Sequence, residues 1–304
     1  MSDASLAGGT PVILDTDIGS DVDDLLALVL LANERSVDLL GVATVYGDVM
    51  LRAQLARRAL RLLGRDDVPV HVGEERPLSG RDVWWGGHEG DGVDGLAGEE
   101  ISAVGGVDAL LAAARRHPGE LVVVAIGPLT NVATALRREP SWASQVRRLV
   151  IMGGEFARGE PEHNLRSDDA AAATVLGAGI PSTYVGLDVT TTVPFDDADL
   201  DAVTASGSAG AMLVDAQVRR WWQRLGSSSC HPHDPLAVLA MLEPSLFSWR
   251  AGGWKVIEDG PEAGALISDP STASIDYATT VDVTAARDSL RSRISTALLP
   301  SATS

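Results

Sequence analysis

The feature that most restricts the fold of this chain is an acidic stretch near its start. A short apolar run, residues 11–14, leads into five aspartates within ten positions, and a helix-like apolar run follows at residues 25–32. This order predicts a buried strand, an acidic loop and a helix. The aspartates are Asp15, Asp17, Asp21, Asp23 and Asp24.

Carboxylates crowded this closely repel one another, so a folded protein keeps them either in water or around a cation. Oxygen ligands favour Ca²⁺ or Mg²⁺ over zinc. The alternative is a solvated turn in which aspartates cap the following helix. Capping accounts for Asp23 and Asp24 but not for Asp15 and Asp17, and we therefore expect a metal site.

Strand-like and helix-like segments alternate through the first two thirds of the chain, which predicts an α/β fold. The expected architecture is a mostly parallel central sheet flanked by helices, an open Rossmann-like sheet. In such sheets, ligands bind beyond the carboxyl ends of the strands. Buried strands are predicted at residues 37–46, 68–72, 121–126, 148–152 and 181–187, and glycine-punctuated strands at 254–283.

Length and charge limit the other possibilities. A chain of 304 residues, 45% of them hydrophobic, can form one large domain over residues 1–304, with flexible tails at 1–10 and 298–304. The net charge of −18 argues against nucleic-acid or anionic-membrane partners. A lone cysteine, Cys230, excludes an internal disulfide, and we see neither a secretory signal nor a membrane-spanning run. These features predict a cytoplasmic protein.

Several short motifs, taken in order, resemble the nucleoside hydrolase family of the inosine-uridine preferring type. Members cleave the N-glycosidic bond of ribonucleosides to free base and ribose in nucleoside catabolism and base salvage. The motifs cover nearly the whole chain: Asp15-Thr-Asp17-Ile-Gly19 with Asp23-Asp24, then Val45-Tyr-Gly47, Gly127-Pro-Leu-Thr-Asn131, Ile151-Met-Gly-Gly154, Val185-Gly-Leu-Asp-Val-Thr190 and His233-Asp234-Pro235.

The resemblance implies a bound Ca²⁺ and a set of residues that surround it. Its ligands would be Asp17, Asp24, the main-chain carbonyl of Ile126, and Asp234. Asp17 would also be the general base that takes a proton from a metal-bound water. His233 would lie near the leaving base as a candidate acid. Breaking the C1′–N bond develops positive charge on the ribose, which nearby carboxylates stabilise.

Substrate contacts are carried over in the same way. Asp23 would bind a ribose hydroxyl, although Asp21 could take the place of one of the assigned carboxylates. The remaining candidates for substrate contact are Asp48, Met152, Glu162, Asn164, His88 and Trp222. Asp48 stands where the family usually has asparagine, and an acid there adds negative charge near the ribose. His163 replaces the usual aromatic residue before Asn164.

The tryptophans have two readings each. Trp221 and Trp222 could stack against a nucleobase or could be core or interface residues. Trp84 and Trp85 lie in a glycine-rich segment, residues 84–95, that also contains His88. A loop this long is usually functional or disordered, and its aromatic residues favour a function.

Two other functions compete with the hydrolase. A haloacid dehalogenase-type, Mg²⁺-dependent phosphatase also places Asp-x-Asp after a first strand. Such enzymes expect Thr or Val where this chain has Gly19, and they have no counterpart of His233-Asp234-Pro235. A catalytically inactive nucleoside- or sugar-binding protein is disfavoured because the acidic residues and His233 are intact. The base preference stays open, and the resemblance suggests a homodimer or homotetramer.

Overall fold

The computed structural model of the chain describes residues 8–84 and 86–300. Trp85 and the ends of the two predicted tails, residues 1–7 and 301–304, lie outside the described residues. The strands are β1 (Thr10–Thr16), β2 (Val37–Thr44), β3 (Val70–Val72), β4 (Val122–Ala125), β5 (Arg148–Met152), β6 (Ser182–Val185), β7 (Phe195–Asp196), β8 (Ser229–Cys230), β9 (Phe247–Val256), β10 (Leu266–Ser268) and β11 (Ser274–Val281).

Within the described residues, nine of these strands form one sheet in the order β10-β9-β11-β6-β5-β4-β1-β2-β3. The seven strands from β11 to β3 are parallel to their neighbours. Strand β9 runs antiparallel to both β11 and β10 at one edge. Strands β7 and β8 form a separate two-stranded antiparallel pair. The predicted α/β fold with a mostly parallel central sheet is confirmed.

Helices cover both faces of the sheet, as buried parallel strands require. The helices are α1 (Asp23–Ala32), α2 (Val49–Leu62), α3 (Gly106–Arg116), α4 (Thr130–Arg138), α5 (His163–Ser167), α6 (Asp169–Gly177), α7 (Leu187–Thr190), α8 (Asp197–Thr204), α9 (Ala209–Leu225), α10 (His233–Leu242) and α11 (Val283–Ala297). One apolar core lies under α1, α2, α10 and α11, and the other under α3, α4 and α6. No helix among the described residues has the length and apolar character needed to cross a bilayer.

The order in which strands are added to the sheet reverses at β1, which pairs with β2 on one side and with β4 on the other. Such a switch point opens a crevice beyond the carboxyl ends of the two central strands, because their connections leave to opposite sides. The acidic loop follows β1, and Ile126 follows β4. The sheet topology therefore brings these two segments to one crevice.

Three predicted boundaries differ from the structure. The strand predicted at residues 181–187 is shorter, Ser182–Val185, because α7 begins at Leu187. The C-terminal strands begin at Phe247, not at Trp254. Thr10 is the first residue of β1 and Leu298 is buried, so these two residues do not belong to flexible tails.

Candidate active site

A cavity of about 350 Å³ lies at the switch point. It falls within the size range of small-molecule sites. Its wall combines carboxylates with His163, Leu187, Trp221 and His233. Of the residues proposed from the sequence, the cavity wall contains Asp17, Asp23, Asp24, Ile126, Met152, Glu162, Asn164, His233 and Asp234. Segments more than 200 positions apart along the chain thus meet in one pocket.

Four carboxyl groups in this wall form a compact group, the acidic cluster: Asp21, Asp23, Asp24 and Asp234. One oxygen from each lies within 4.8 Å of the oxygens of the other three. Two oxygens bound to a single Ca²⁺ at roughly 2.4 Å each lie at most about 4.8 Å apart, so the spacing fits one hard cation. Asp23 and Asp24 start α1 and Asp234 lies in the first turn of α10, where helix dipoles favour negative charge.

Asp17 lies in the same wall but outside the acidic cluster. Its Oδ2 accepts a 2.8 Å hydrogen bond from the hydroxyl of Ser20. A Cβ atom on Gly127 would lie 2.6 Å from Asp17 Oδ1, so only glycine fits beside this carboxylate. The Gly127-Pro128 motif after β4 therefore leaves room for Asp17. Its assignment as a metal ligand stays a prediction.

Burial dominates the acid–base behaviour of the cluster. Desolvation, together with the charge of Asp23, raises the pKa of Asp21 well above its ordinary value. Burial also raises the pKa of Asp23 to about 6. Asp24 and Asp234 shift in the same direction, chiefly through desolvation and then through neighbouring carboxylates. A cluster with these properties is stable when it is ionised only if a cation neutralises it.

The strand ends beyond β4 and β5 supply neutral polar groups. Asn164 donates from Nδ2 to the carbonyl oxygen of Ile126 at 2.8 Å and to that of Met152 at 3.2 Å. A carbonyl oxygen has two lone pairs, so Ile126 keeps one acceptor site. Glu162 caps α5 and accepts hydrogen bonds from the main-chain N–H groups of Gly154, Asn164 and Leu165. These contacts fix both side chains in the cavity wall.

His233 lies at the start of α10, next to Asp234, and lines the same cavity. Its Nδ1 lies 2.7 Å from the hydroxyl oxygen of Thr190. Burial lowers the pKa of His233, because desolvation disfavours the imidazolium, and the charge of Asp21 opposes this shift. The ring is therefore neutral at neutral pH. The ring of His231 lies 5.7 Å away, and its Nδ1 lies 3.0 Å from the carbonyl oxygen of Val193.

Two of the predicted substrate contacts, Trp222 and Asp48, lie outside this cavity. The Trp222 side chain is 3% exposed and packs in the core under α9, whereas its neighbour Trp221 lines the cavity. Asp48 is exposed outside the cavity, where its carboxylate caps α2 by accepting from the N–H of Leu51 at 3.0 Å. The capping interaction gives Asp48 a structural role.

His88 lies in a smaller cavity that adjoins the first one. Its ring stacks on Trp221 with a centroid distance of 6.0 Å and an interplanar angle of 12°. Trp84 is half exposed, and its ring lies 4.9 Å from that of His163. These contacts bring the glycine-rich segment to the rim of the site, whereas Trp85 lies outside the described residues.

Sequence reasoning missed one buried ion pair beside the acidic loop. Arg52 in α2 is fully buried, and its Nη2 lies 3.0 Å from Oε1 of Glu89 in the glycine-rich segment. Arg52 belongs to an arginine-rich stretch of the sequence, which gives no local signal for a buried guanidinium. A buried charge needs a partner, and a carboxylate 37 positions away provides it.

Comparison with known proteins identifies the family. The family model for inosine-uridine preferring nucleoside hydrolases matches residues 12–288. The chain belongs to the nucleoside hydrolase family. It is 32% identical over 268 residues to probable uridine nucleosidase 2 of Oryza sativa subsp. japonica, covering 82% of this chain and 79% of that one. It is 33% identical over 258 residues to the pyrimidine-specific ribonucleoside hydrolase RihA of Citrobacter koseri, covering 78% and 81%.

The fold of this nucleoside hydrolase agrees with a solved relative. A plant nucleoside hydrolase superimposes with a TM-score of 0.85 at 24% identity, covering 94% of this chain and 99% of that one. Family membership makes the chain an N-glycosyl hydrolase of ribonucleosides. It also removes the phosphatase as an alternative.

Proposed function

We propose that this nucleoside hydrolase cleaves pyrimidine ribonucleosides, uridine foremost, with a Ca²⁺ ion in the acidic cluster. The observation that carries the proposal is the single cavity whose wall combines the carboxylates with His233 and Trp221. A ribose fits the acidic side, because carboxylates accept from its hydroxyls and stabilise the positive charge that develops at C1′. The base preference follows the two relatives at 32% and 33% identity, a probable uridine nucleosidase and a pyrimidine-specific ribonucleoside hydrolase.

Asp24 and Asp234 would hold the ion, together with Asp21 or Asp23, the carbonyl of Ile126 and Asp17. A bound Ca²⁺ would lower the pKa of a coordinated water and would orient the sugar hydroxyls. A donor set of several carboxylates and a main-chain carbonyl favours Ca²⁺ over Mg²⁺, which demands near-ideal octahedral geometry and usually keeps several waters.

Asp17 acts as the general base in this proposal. Its carboxylate takes a proton from the attacking water, the water oxygen bonds to C1′, and the electron pair of the C1′–N bond leaves with the base. Ser20 fixes one oxygen of Asp17, which leaves the other oriented for proton transfer. Met152, Glu162 and Asn164 hold the ribose from the strand ends.

His233 assists the leaving base as a neutral imidazole. If the Thr190 hydroxyl donates to Nδ1, the ring N–H is at Nε2, where it donates a hydrogen bond that stabilises the negative charge on the departing base; the base then takes up its proton from water. Trp221 lies in the same wall and offers an aromatic face for stacking. Its partner His88 supports the indole from the other side.

A panel of nucleosides tests the proposal. Release of free ribose is measured from uridine, cytidine, inosine and adenosine, with metal-stripped protein and after addition of Ca²⁺. We expect the highest kcat/KM for uridine and recovery of activity with Ca²⁺. Asp17→Asn serves as the inactive control. A preference for purine nucleosides overturns the base assignment, and full activity in metal-stripped protein overturns the role of Ca²⁺. Light scattering of the purified protein tests separately whether it forms the predicted homodimer or homotetramer.

A further inference from the structure

Arg52 is a fully buried cation for which the proposed mechanism has no use. Its guanidinium makes several hydrogen bonds at once. Nε donates to the carbonyl of Tyr46 at 2.6 Å, and Nη1 donates to the carbonyls of Asp17 and Ile18, the latter at 3.0 Å. Nη2 donates to Glu89 at 3.0 Å. Arginine has five donors in a rigid fork, so one side chain can join these separate segments.

Two of these bonds hold the backbone of the acidic loop. The carbonyls of Asp17 and Ile18 precede Gly19, which has a φ of +99° and turns the chain towards the cluster. The direction in which Asp17 and Asp21 leave this turn depends on where the two carbonyls lie. Arg52 therefore fixes the turn from which the carboxylates project.

A third bond holds the end of β2. Tyr46 has a φ of +66°, a left-handed conformation that a non-glycine residue adopts only with support. Its carbonyl accepts from Arg52, and its hydroxyl accepts from the N–H of Trp84 at 3.0 Å. The same guanidinium thus stabilises the turn that carries the chain from β2 into α2.

The fourth bond, from Arg52 to Glu89, connects the glycine-rich segment to the acidic loop. Glu89 accepts from the N–H of Gly87 with its second oxygen at 2.7 Å. A Cβ atom on Gly19 would lie 3.2 Å from Glu89 Cβ, so the two segments are in close contact. His88 Nε2 lies 2.5 Å from the carbonyl oxygen of Ser20. His88 then reaches the base side of the site by stacking on Trp221.

Arg58, the next arginine but one along α2, offers a comparison. It pairs with Glu99 and donates to the carbonyls of Asp94 and Gly95 at 3.0 and 3.2 Å. Both arginines therefore hold parts of the glycine-rich segment and its continuation. Within the described residues, Arg58 has no hydrogen bond to the acidic loop, whereas Arg52 has two.

We propose that Arg52 is a positioning residue, which orients the acidic loop through the carbonyls of Asp17 and Ile18 and ties the glycine-rich segment to it through Glu89. This inference rests on the proposed function, since it concerns the same site. It implies that one side chain, Arg52, stabilises both the acidic loop that would bind the metal and the glycine-rich segment beside the base. Residues that orient metal ligands are worth roughly 10- to 100-fold in metal affinity or activity.

The test compares four variants: Arg52→Gln, Arg52→Lys, Glu89→Gln and the control Arg58→Gln. Amide hydrogen exchange is measured in metal-stripped protein for peptides covering residues 15–24 and 86–95. Affinity for Tb³⁺, a luminescent probe of calcium-sized sites, is measured on the same samples. The kcat and KM values are then determined for the nucleoside that the parent protein cleaves fastest.

For Arg52→Gln we expect faster exchange in both peptides and a Tb³⁺ affinity lower by roughly 10- to 100-fold. Arg52→Lys should behave similarly, because one ammonium nitrogen cannot reach four acceptors. Glu89→Gln should speed exchange in residues 86–95 alone and raise KM more than it lowers kcat. Arg58→Gln should leave exchange in residues 15–24 and Tb³⁺ affinity unchanged. If Arg52→Gln is insoluble, Arg52→Lys carries the test.

Two results overturn the proposal. Unchanged exchange in residues 15–24 for folded Arg52 variants assigns Arg52 to general stability alone. Full Tb³⁺ affinity in Arg52→Lys, together with loss in Arg52→Gln, assigns the effect to positive charge and not to positioning. Hydrogen exchange does not depend on which substrate is cleaved. A parent protein that releases no ribose therefore contradicts the proposed function and leaves this comparison intact.

Discussion

The main-chain N–H of Asp234 donates a 3.1 Å hydrogen bond to Oδ2 of Asp23, joining two residues 211 positions apart. The bond connects the first turns of α1 and α10, so the two helix N-termini point at the same acidic cluster. One oxygen of Asp23 is occupied by this contact. Asp21 is half-buried and borders the main cavity and two smaller ones beside it.

This difference predicts separate roles for Asp21 and Asp23. We expect Asp23→Asn to weaken Ca²⁺ binding by at least about tenfold, because it disturbs the junction of the two helices. Asp21→Asn should raise KM for uridine with a smaller effect on Ca²⁺ affinity, because the side chain faces the substrate cavity. Calorimetric Ca²⁺ titration and steady-state kinetics measure the two effects. The reverse pattern would restore the assignment of Asp23 to the ribose.

Metal removal should make stability depend on pH in a defined direction. Burial raises the pKa of Asp23 to about 6 from an ordinary 3.8. In metal-free protein its contribution to stability is therefore fully present below the unfolded pKa and is lost as pH rises through about 6. The upward shifts of Asp21, Asp24 and Asp234 act with the same sign.

Thermal unfolding of metal-stripped protein between about pH 5 and 7.5 measures this effect. We expect Tm to fall as pH rises, and added Ca²⁺ to remove most of the fall, since the cation replaces the protons in neutralising the cluster. Asp38→Asn, a change at an exposed surface position, is the control and should keep the slope. Equal slopes with and without Ca²⁺ would show that the cluster binds no cation.

The sequence predicted the main frame of the site because its signals are local. Asp17 and Ile126 directly follow short apolar strands and Met152 ends one, and a parallel sheet collects such strand ends at one edge. The His233-Asp234-Pro235 motif lies at the start of a helix, and this too can be recognised from the local sequence. These are the parts in which chain order and spatial position are directly related.

The errors arise where position depends on packing between distant elements. Trp221 and Trp222 are adjacent, so their sequence spacing cannot tell which one faces the cavity until α9 is docked. Arg52 belongs to an arginine-rich helix that looks solvated, and its burial follows from Glu89 in a loop 37 positions away. Asp48 comes after a strand, but it is also the N-cap residue of α2, and its carboxylate caps this helix and does not reach the cavity.

His233 should matter most for substrates with poor leaving groups. We expect His233→Ala to slow uridine cleavage by roughly 10²–10³-fold, the usual cost of removing one hydrogen-bond donor to a developing negative charge. Cleavage of p-nitrophenyl riboside should fall far less, because its leaving group is stable as an anion. His231→Ala is the matched control, and it should change both rates little because His231 does not line the main cavity. Equal losses on both substrates would remove His233 from the leaving-group role.

The adjacent tryptophans allow a second matched comparison. Trp221 lines the cavity, and its removal should weaken base binding by about 1–3 kcal/mol, which corresponds to a KM rise of roughly 5- to 150-fold. Trp222 is buried, so Trp222→Ala should lower the free energy of unfolding by about 3–5 kcal/mol. Trp221→Phe keeps an aromatic face and should recover most of the affinity.

Urea unfolding and KM for uridine, measured on both alanine variants, separate the two effects. Trp221→Ala should lose affinity while keeping most of its stability, since its ring is only partly buried and stacks on His88. Trp222→Ala should lose stability, and its folded fraction should keep a KM close to that of the parent. An unchanged KM in Trp221→Ala would mean that the base does not stack on this indole, and His163 would then be the next aromatic side chain of the cavity to test.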